Sequence, residues 1–327
     1  MKTKENFKSH IDNILACPEC KGKLSIDGRN LFCSACSSSY EARDGITNLL
    51  PVNSNNRGSA SGTLSGNELE FLFQRRVFNS AADSLMHNDF LSRVNSQPED
   101  SIFLEIGSGR GEDAYNLLKK GYRVVVSDVS MEITSRTKAI LEKREISEEA
   151  YFCLIDAHYL PFADESFELI YMVSCLHHCK FPLKVFSEIR RCLKPKGTFI
   201  LAVEPNLMTN FFVTGFLETL RSIKNVFVKK TSSIPASPDE RLGFSKKQIL
   251  ALAKKASLKP IDINPQWFLS GFTQTILDLL QKLFPGRENL QINRKVENII
   301  IKADNLFLKI PLCSNLCWFW TLTAIKE

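Results

Sequence analysis

The chain has 327 residues, 44% hydrophobic and 24% charged, and a net charge of +6 spread along its length. That is room for one large domain plus a small module of ordinary globular composition; the mild basicity permits an anionic partner without requiring one. No run reaches about 18 uninterrupted apolar residues, which argues against a membrane-spanning helix.

The start, Met1 to His10, is polar and no apolar stretch of leader type follows it, so the sequence reads as cytoplasmic and without a signal peptide. Its ten cysteines are then read as those of a reducing compartment, where a CxxC pair points to metal or redox chemistry before a structural disulfide. Residues 14–52 carry two such pairs, Cys17-Pro-Glu-Cys20 and Cys33-Ser-Ala-Cys36, with 12 residues between them. Each knuckle turns two sulfurs toward one point. Two knuckles offer four thiolates in a tetrahedron, the preference of a structural zinc ion. Redox CxxC motifs are normally single, which disfavours that alternative. A closed four-cysteine site leaves no position for substrate, so the module either scaffolds or contacts a substrate or partner. Gly22 and Gly28 are placed as turn residues.

A polar Gly/Ser/Asn linker follows over residues 53–67, with almost nothing to bury. Residues 68–95 carry Phe71, Phe78, Leu85 and Leu91 at roughly helical spacing. From Ser101 the pattern changes. SIFLEI, YRVVVSD, YFCLID, FELIYMV and TFILAVE are strand-length apolar runs, and EDAYNLLKK, MEITSRTKAILEKRE and PLKVFSEIRRCL are amphipathic stretches among them. This alternation predicts an α/β fold with a parallel, doubly wound sheet buried on both faces. Beyond residue 205 the sequence reads as a helix (SKKQILALAKKASL), a strand (LKPIDINPQ), two apolar helices and a final aromatic strand, LCWFWTLTAI. The expected division is a zinc ribbon at 1–52, the linker at 53–67, and a catalytic domain at 68–327 with lid helices first and an apolar helical insertion near its end.

Ligands of such sheets bind beyond the carboxyl ends of the strands. There the first strand runs into Glu105-Ile-Gly107-Ser-Gly109-Arg-Gly111, glycines that let the backbone turn sharply against a ligand. The competing fingerprint, G-x-G-x-x-G for a dinucleotide, is broken by Glu112. Glu105, Asp128 and Asp156 close three successive strands. Acids beside the turn repel a pyrophosphate. They favour S-adenosylmethionine, which has no phosphate but carries a sulfonium, an ammonium, a ribose diol and an adenine amine.

The segments LEIGSGRGEDAYNLLKKGYRVVVSDVS and LIDAHYLPFADESFELIYMVSCLHHCKFPLKVFSEIRRCLKPKGTFILAVEPN resemble class I S-adenosylmethionine-dependent methyltransferases, closest to the ubiquinone- and menaquinone-biosynthesis group, over about residues 101–206. The resemblance implies a Rossmann-like sheet and a cofactor site. Gly107, Gly109 and Gly111 would form the turn beneath the cofactor. Glu105 would hold the methionine ammonium, Asp128 the ribose hydroxyls and Asp156 the adenine amine beside Ala157, with Ser174 bordering the methionine end. Taken singly, each acid could equally be a helix cap or a solvated loop charge. The ribbon, with Tyr40, Gly45-Ile46 and Leu49-Leu50-Pro51, is similar to short zinc ribbons that activate methyltransferases as separate subunits. A bacterial rRNA guanine methyltransferase family also carries a ribbon ahead of its catalytic domain, but this chain departs from it at CLHHCKFP.

His177 and His178 follow the fourth strand, near the expected methyl position; either is a candidate general base or pocket wall. Acceptor specificity is assigned to the helices before Ser101 and to the Phe-rich region after Glu204, read as core or as an apolar lid. The expected acceptor is a small molecule or lipid-like, with peripheral membrane contact compatible. RNA gripped by the ribbon is the second reading, and a degenerate, non-enzymatic fold the third, against which the intact glycine turn and acids argue.

Overall fold

The computed structural model describes residues 4–52, 81–94, 97–98, 101–213, 215, 241–283 and 292–327. The predicted linker 53–67, and Phe71 and Phe78 of the predicted helix, lie outside them.

Among the described residues an 11-stranded sheet runs in the order β1-β2-β3-β4-β7-β6-β5-β8-β9-β11-β10. The first four strands are β1 (Leu24–Asp27), β2 (Asn30–Cys33), β3 (Ser39–Arg43) and β4 (Ile46–Asn48). The central ones are β5 (Ile102–Ile106), β6 (Arg123–Asp128), β7 (Ala150–Leu154), β8 (Phe167–Val173) and β9 (Leu193–Pro205), and β10 (Leu258–Gln266) and β11 (Phe319–Lys326) complete the far edge. Strands β7, β6, β5, β8 and β9 are parallel. Strand β11 enters antiparallel between β9 and β10. The predicted apolar runs are strands because both faces are covered: β5 is buried along its whole length.

The helices divide between two faces. Helices α1 (Lys4–Ile14), α5 (Pro182–Cys192) and α6 (Lys246–Lys255) pack in one core with Leu104, Val125, Ile170 and Leu201. Helices α2 (Ala81–Val94), α3 (Glu112–Lys119) and α4 (Met131–Lys143) pack in the other with Phe103, Val124, Val126, Leu169 and Ile200. Alternate residues of each strand thus point to opposite cores. Three further helices, α7 (Leu269–Leu283), α8 (Arg294–Phe307) and α9 (Pro311–Asn315), lie between β10 and β11. Asp304 of α8 accepts from the N–H groups of Phe268, Leu269 and Ser270, fixing the start of α7.

The N-terminal strands are continuous with the central sheet. β4 pairs in parallel with β7, Ile46 opposite Phe152 and Asn48 opposite Leu154. Helix α1, in the polar start, buries Phe7 and Ile11, four residues apart on one face.

Candidate active site at the carboxyl ends of the strands

The strand order reverses direction of growth between β5 and β8, and the crevice beyond their carboxyl ends is the ligand position of such sheets. The glycine turn fills it. Gly107, Gly109 and Gly111 have φ of 78°, 50° and 77°, backbone that side chains with a Cβ rarely adopt. The N–H groups of Gly107 and Ser108 donate to Ser127 O at 2.9 and 2.8 Å, tying the turn to the end of β6. A Cβ at Gly107 would lie 2.3 Å from Cys175 Sγ, and one at Gly111 would lie 2.6 Å from Thr137 Cγ2. A Cβ at Gly109 would meet nothing within 4 Å, so the turn is open there.

The structure brings Glu105 and Asp128 to this turn, and Asp156 stands past the end of the neighbouring β7, where Ile155 N–H donates to Asp128 O. Asp128 accepts from the N–H of Gly109 at 3.4 Å and of Ser130 at 3.0 Å. It is not the cap of α4: Ser130 takes that place, its hydroxyl accepting from Ile133 N–H. Burial pushes the Asp128 carboxyl up, and the backbone N–H groups around it hold it down. Glu105 is buried, and its Oε2 has no hydrogen-bond partner among the described residues. Burial, then the charge of Asp113, raises its carboxyl well above the usual carboxylate range. Asp156, also buried, accepts at Oδ1 from the backbone N–H of His158 at 2.9 Å and faces His158 Nδ1 at 2.6 Å. Because His158 Nε2 accepts from Phe181 N–H at 3.1 Å, the ring proton sits on Nδ1 and donates to Asp156. His158 thereby fixes Asp156 and the loop carrying Ala157.

Beyond β8, Ser174 is exposed in left-handed backbone, its N–H donating to Ala202 O at 2.9 Å. A 3-10 turn, Leu176–His178, follows. His177 is buried and His178 exposed, their ring centroids 4.0 Å apart. Sequence reasoning missed the partner of this turn: Glu204, near the end of β9, is fully buried with Oε1 3.1 Å from His177 Nδ1, while Oε2 accepts from Leu176 N–H at 3.2 Å. The pair is 27 residues apart in sequence and meets only through the β8–β9 pairing.

The four N-terminal cysteines lie together, all four Sγ atoms within 4.8 Å of one another, with Cys17–Cys36 at 3.5 Å and Cys20–Cys33 at 3.4 Å. Sulfurs around a zinc ion at the usual Zn–S distance sit ~3.8 Å apart, so the donor set and its spacing fit that metal. The two knuckles match: the N–H of Lys21 donates to Cys17 O and that of Ser37 to Cys33 O, and Lys21 and Ser37 share left-handed backbone. Gly22 differs from its expected turn role. A Cβ there would lie 3.1 Å from Cys33 Sγ and 3.3 Å from Cys20 Sγ, so its smallness makes room for sulfur. No helix among the described residues is long and apolar enough to cross a membrane.

Comparison with known proteins bears on both regions. Residues 104–201 match the family described as "Methyltransferase domain", and residues 12–45 match "Trm112p-like protein". A sterol 24-C-methyltransferase of Gibberella zeae is 33% identical over 155 residues, 46% of this chain and 40% of that one. A ubiquinone/menaquinone biosynthesis C-methyltransferase of Rickettsia typhi is 27% identical over 155 residues, 44% of this chain and 62% of that one. The chain thus spans less than two thirds of the length of these relatives. Among solved structures, a geranyl diphosphate methyltransferase in complex with SAM superposes with a TM-score of 0.52 at 12% identity, over 83% of this chain and 93% of that one, a likeness of fold. Residues 104–201 are a methyltransferase domain of the α/β kind, preceded in the same polypeptide by a Trm112p-like segment with its four cysteines gathered at one point.

Proposed function

We propose that this protein transfers a methyl group from S-adenosylmethionine to a small-molecule or lipid-like acceptor, with a structural zinc ion in its N-terminal ribbon. One observation carries the reading: two buried carboxylates, Glu105 and Asp128, flank a glycine turn that is open at Gly109, and a third, Asp156, stands just past the end of the neighbouring β7. A buried carboxylate is costly unless a donor or cation meets it. The cofactor offers an ammonium to the unpartnered oxygen of Glu105, a diol to Asp128 and an amine to Asp156. It supplies an activated methyl group, and the chain's part is to align the acceptor and exclude water. We assign residues 1–52 to the ribbon and 68–327 to the catalytic domain, as the sequence divides them.

The apolar character of the acceptor rests on Phe211 and Phe212, exposed just past β9, and on Phe272 and Ile276, exposed on α7. RNA as acceptor is the alternative that the Trm112p-like match keeps in view. Calorimetry tests the cofactor: S-adenosylhomocysteine is expected to bind and NADH not, and tight NADH binding would refute the reading. Asp128→Ala is expected to weaken S-adenosylhomocysteine roughly 10- to 100-fold, the worth of hydrogen bonds to a charged group. Incubating cell extract with isotope-labelled methyl donor then separates the acceptors, since label in RNA rather than in the apolar fraction would overturn the small-molecule assignment.

A further inference from the structure

We infer that helices α7 and α8 form a docking surface for an anionic lipid bilayer, held at the rim of the sheet on which the crevice opens. The surface stands on the helices alone; its delivery of an acceptor dissolved in the bilayer rests on the methyltransferase reading above and deepens it.

Helix α8 presents two rows side by side. Val296, Ile299, Ala303, Leu306 and, in the turn that continues the helix, Ile310 recur at intervals of three and four residues, which places them on one face. Four of the five are exposed, Ile299 at 66% and Leu306 at 67%. Lys295, Lys302 and Lys309, seven residues apart, run along one edge of that face and are all exposed. The far side of the helix turns inward. Asp304 is buried against the start of α7 and Glu297 is half-buried, so α8 carries no exposed acid. Helix α7 extends the apolar surface with Phe272, Ile276 and Leu280, exposed at intervals of four. The Phe268 ring lies 5.7 Å from that of Phe272 and 5.8 Å from that of Phe307, which joins the exposed faces of the two helices.

Single exposed apolar side chains are ordinary; a contiguous row rimmed by charge marks an interaction surface. The spacing on α8 also suits a partner helix, but a second copy would set the lysine row against Ile300 and Phe307 or against another lysine row, with no acid to meet it. RNA would answer the lysines and leave the apolar row in water. An anionic bilayer answers both. The apolar side chains enter the acyl boundary, and the lysines lay their stems along it with their ammonium groups among the phosphates.

The sheet fixes where this surface stands. Gln266, the last residue of β10, and Pro205, the last of β9, both pair with Phe319, the first of β11. Helices α7 to α9 therefore leave and rejoin the sheet at the carboxyl ends of β9 and β10, the rim on which the crevice opens. Phe211 and Phe212, exposed just past β9, follow the same rim. A chain docked by α7 and α8 thus brings its crevice to the bilayer surface, where an apolar acceptor resides.

Cosedimentation of the full chain with vesicles, without cofactor, tests the surface. One set of vesicles is phosphatidylcholine alone and the other is phosphatidylcholine mixed with phosphatidylglycerol. Wild type is expected to bind the mixed vesicles, less tightly as salt rises. Replacing Lys295, Lys302 and Lys309 together with Gln should lower the partition about 100-fold, at about fivefold for each lysine. Ile299→Ser combined with Leu306→Ser should lower it at least about tenfold. All five side chains are exposed, so melting temperature and S-adenosylhomocysteine affinity should be unchanged in both variants. Wild type failing to bind the mixed vesicles, binding both kinds equally, or partition indifferent to the Ile299 and Leu306 substitutions would each overturn the inference. So would a dimer in gel filtration that those two substitutions dissociate, or RNA displacing the protein from the vesicles. If the vesicles bind and S-adenosylhomocysteine does not, the surface stands and it is the methyltransferase reading that falls.

Discussion

Gly107→Ala is the substitution whose cost the structure resolves most finely. The residue sits at φ 78°, and left-handed backbone costs a residue with a Cβ about 1–2 kcal/mol. The new methyl group would also lie 2.3 Å from Cys175 Sγ, a contact that overpacks the turn by about 1–3 kcal/mol more. The sum is about 2–5 kcal/mol. The two parts come apart in a double-mutant cycle with Cys175→Ala, which removes the sulfur and leaves Cys175 Cβ at 3.1 Å, a contact that a shift of a few tenths of an ångström relieves. Urea denaturation of the four proteins is therefore expected to give a coupling energy of about 1–3 kcal/mol, the double variant being more stable than the sum of the singles. Gly109→Ala is the control. Its Cβ meets nothing, so it should lose only the backbone part, about 1–2 kcal/mol, yet lose most S-adenosylhomocysteine affinity because the methyl group projects into the open turn. Additivity within about 0.5 kcal/mol at Gly107 and Cys175 would refute the placement of the 3-10 turn against the glycines.

Two further outcomes follow from the buried acids and the ribbon. The Glu105 carboxyl is raised in the folded protein, so the folded state holds a proton that the unfolded chain has already lost as pH climbs past the ordinary glutamate range. Glu105's contribution to stability therefore falls with rising pH in that window, by at most about 1.4 kcal/mol per pH unit for one proton. Relative to wild type, Glu105→Gln is expected to gain stability in thermal melts as pH rises from mildly acidic to neutral, and an unchanged difference between the two would count against the burial of that carboxylate. For the ribbon, metal analysis is expected to find one zinc per chain, and chelation to lower both the melting temperature and the affinity for S-adenosylhomocysteine. Affinity indifferent to chelation would disconnect the ribbon from the cofactor site.

The central strands were legible because burial on both faces leaves continuous apolar runs, and Glu105, Asp128 and Asp156 stand where those runs stop. The gathering of the four cysteines was legible because two CxxC knuckles at short separation each turn a pair of sulfurs toward one point, and the four Sγ atoms lie within 4.8 Å of one another. What the sequence concealed is non-local. Glu204 reads as the last residue of a strand until the β8–β9 pairing sets it beside His177. Strand β4 is three residues long, too short for any periodicity, and its partner is chosen by the tertiary fold. Helix α1 had a signal in Phe7, Ile11 and Leu15 at four-residue spacing, masked by the lysines and asparagines around them.

The position of the ribbon would give a metal held by its four cysteines a reach beyond its own strands. Four contacts clamp the ribbon to the last residue of β7 and the segment that follows. Leu49 N–H donates to Leu154 O at 3.0 Å, Ala16 N–H to Pro161 O at 2.9 Å, and Lys21 Nζ to Leu160 O at 3.1 Å, while Ala163 N–H donates back to Ile14 O at 2.8 Å. Between those anchor points lie Asp156, Ala157 and His158. Lys21 also pairs with Glu188 of α5 at 2.8 Å, and Arg191 joins Glu188 to the carbonyls of Leu160 and Phe162, so the same segment is gripped from the catalytic side. A loop held at both ends loses little further entropy when a ligand orders it, which is how a scaffold contributes affinity without touching the ligand. The Lys21 anchor follows directly on Cys20, and the Ala16 anchor directly precedes Cys17. Loosening the cysteine cluster must loosen both, and through them the carboxylate proposed to receive the adenine amine. With a zinc ion closed on the four sulfurs, as proposed, the ribbon would brace the wall proposed to receive the adenine, a role that needs no open coordination position.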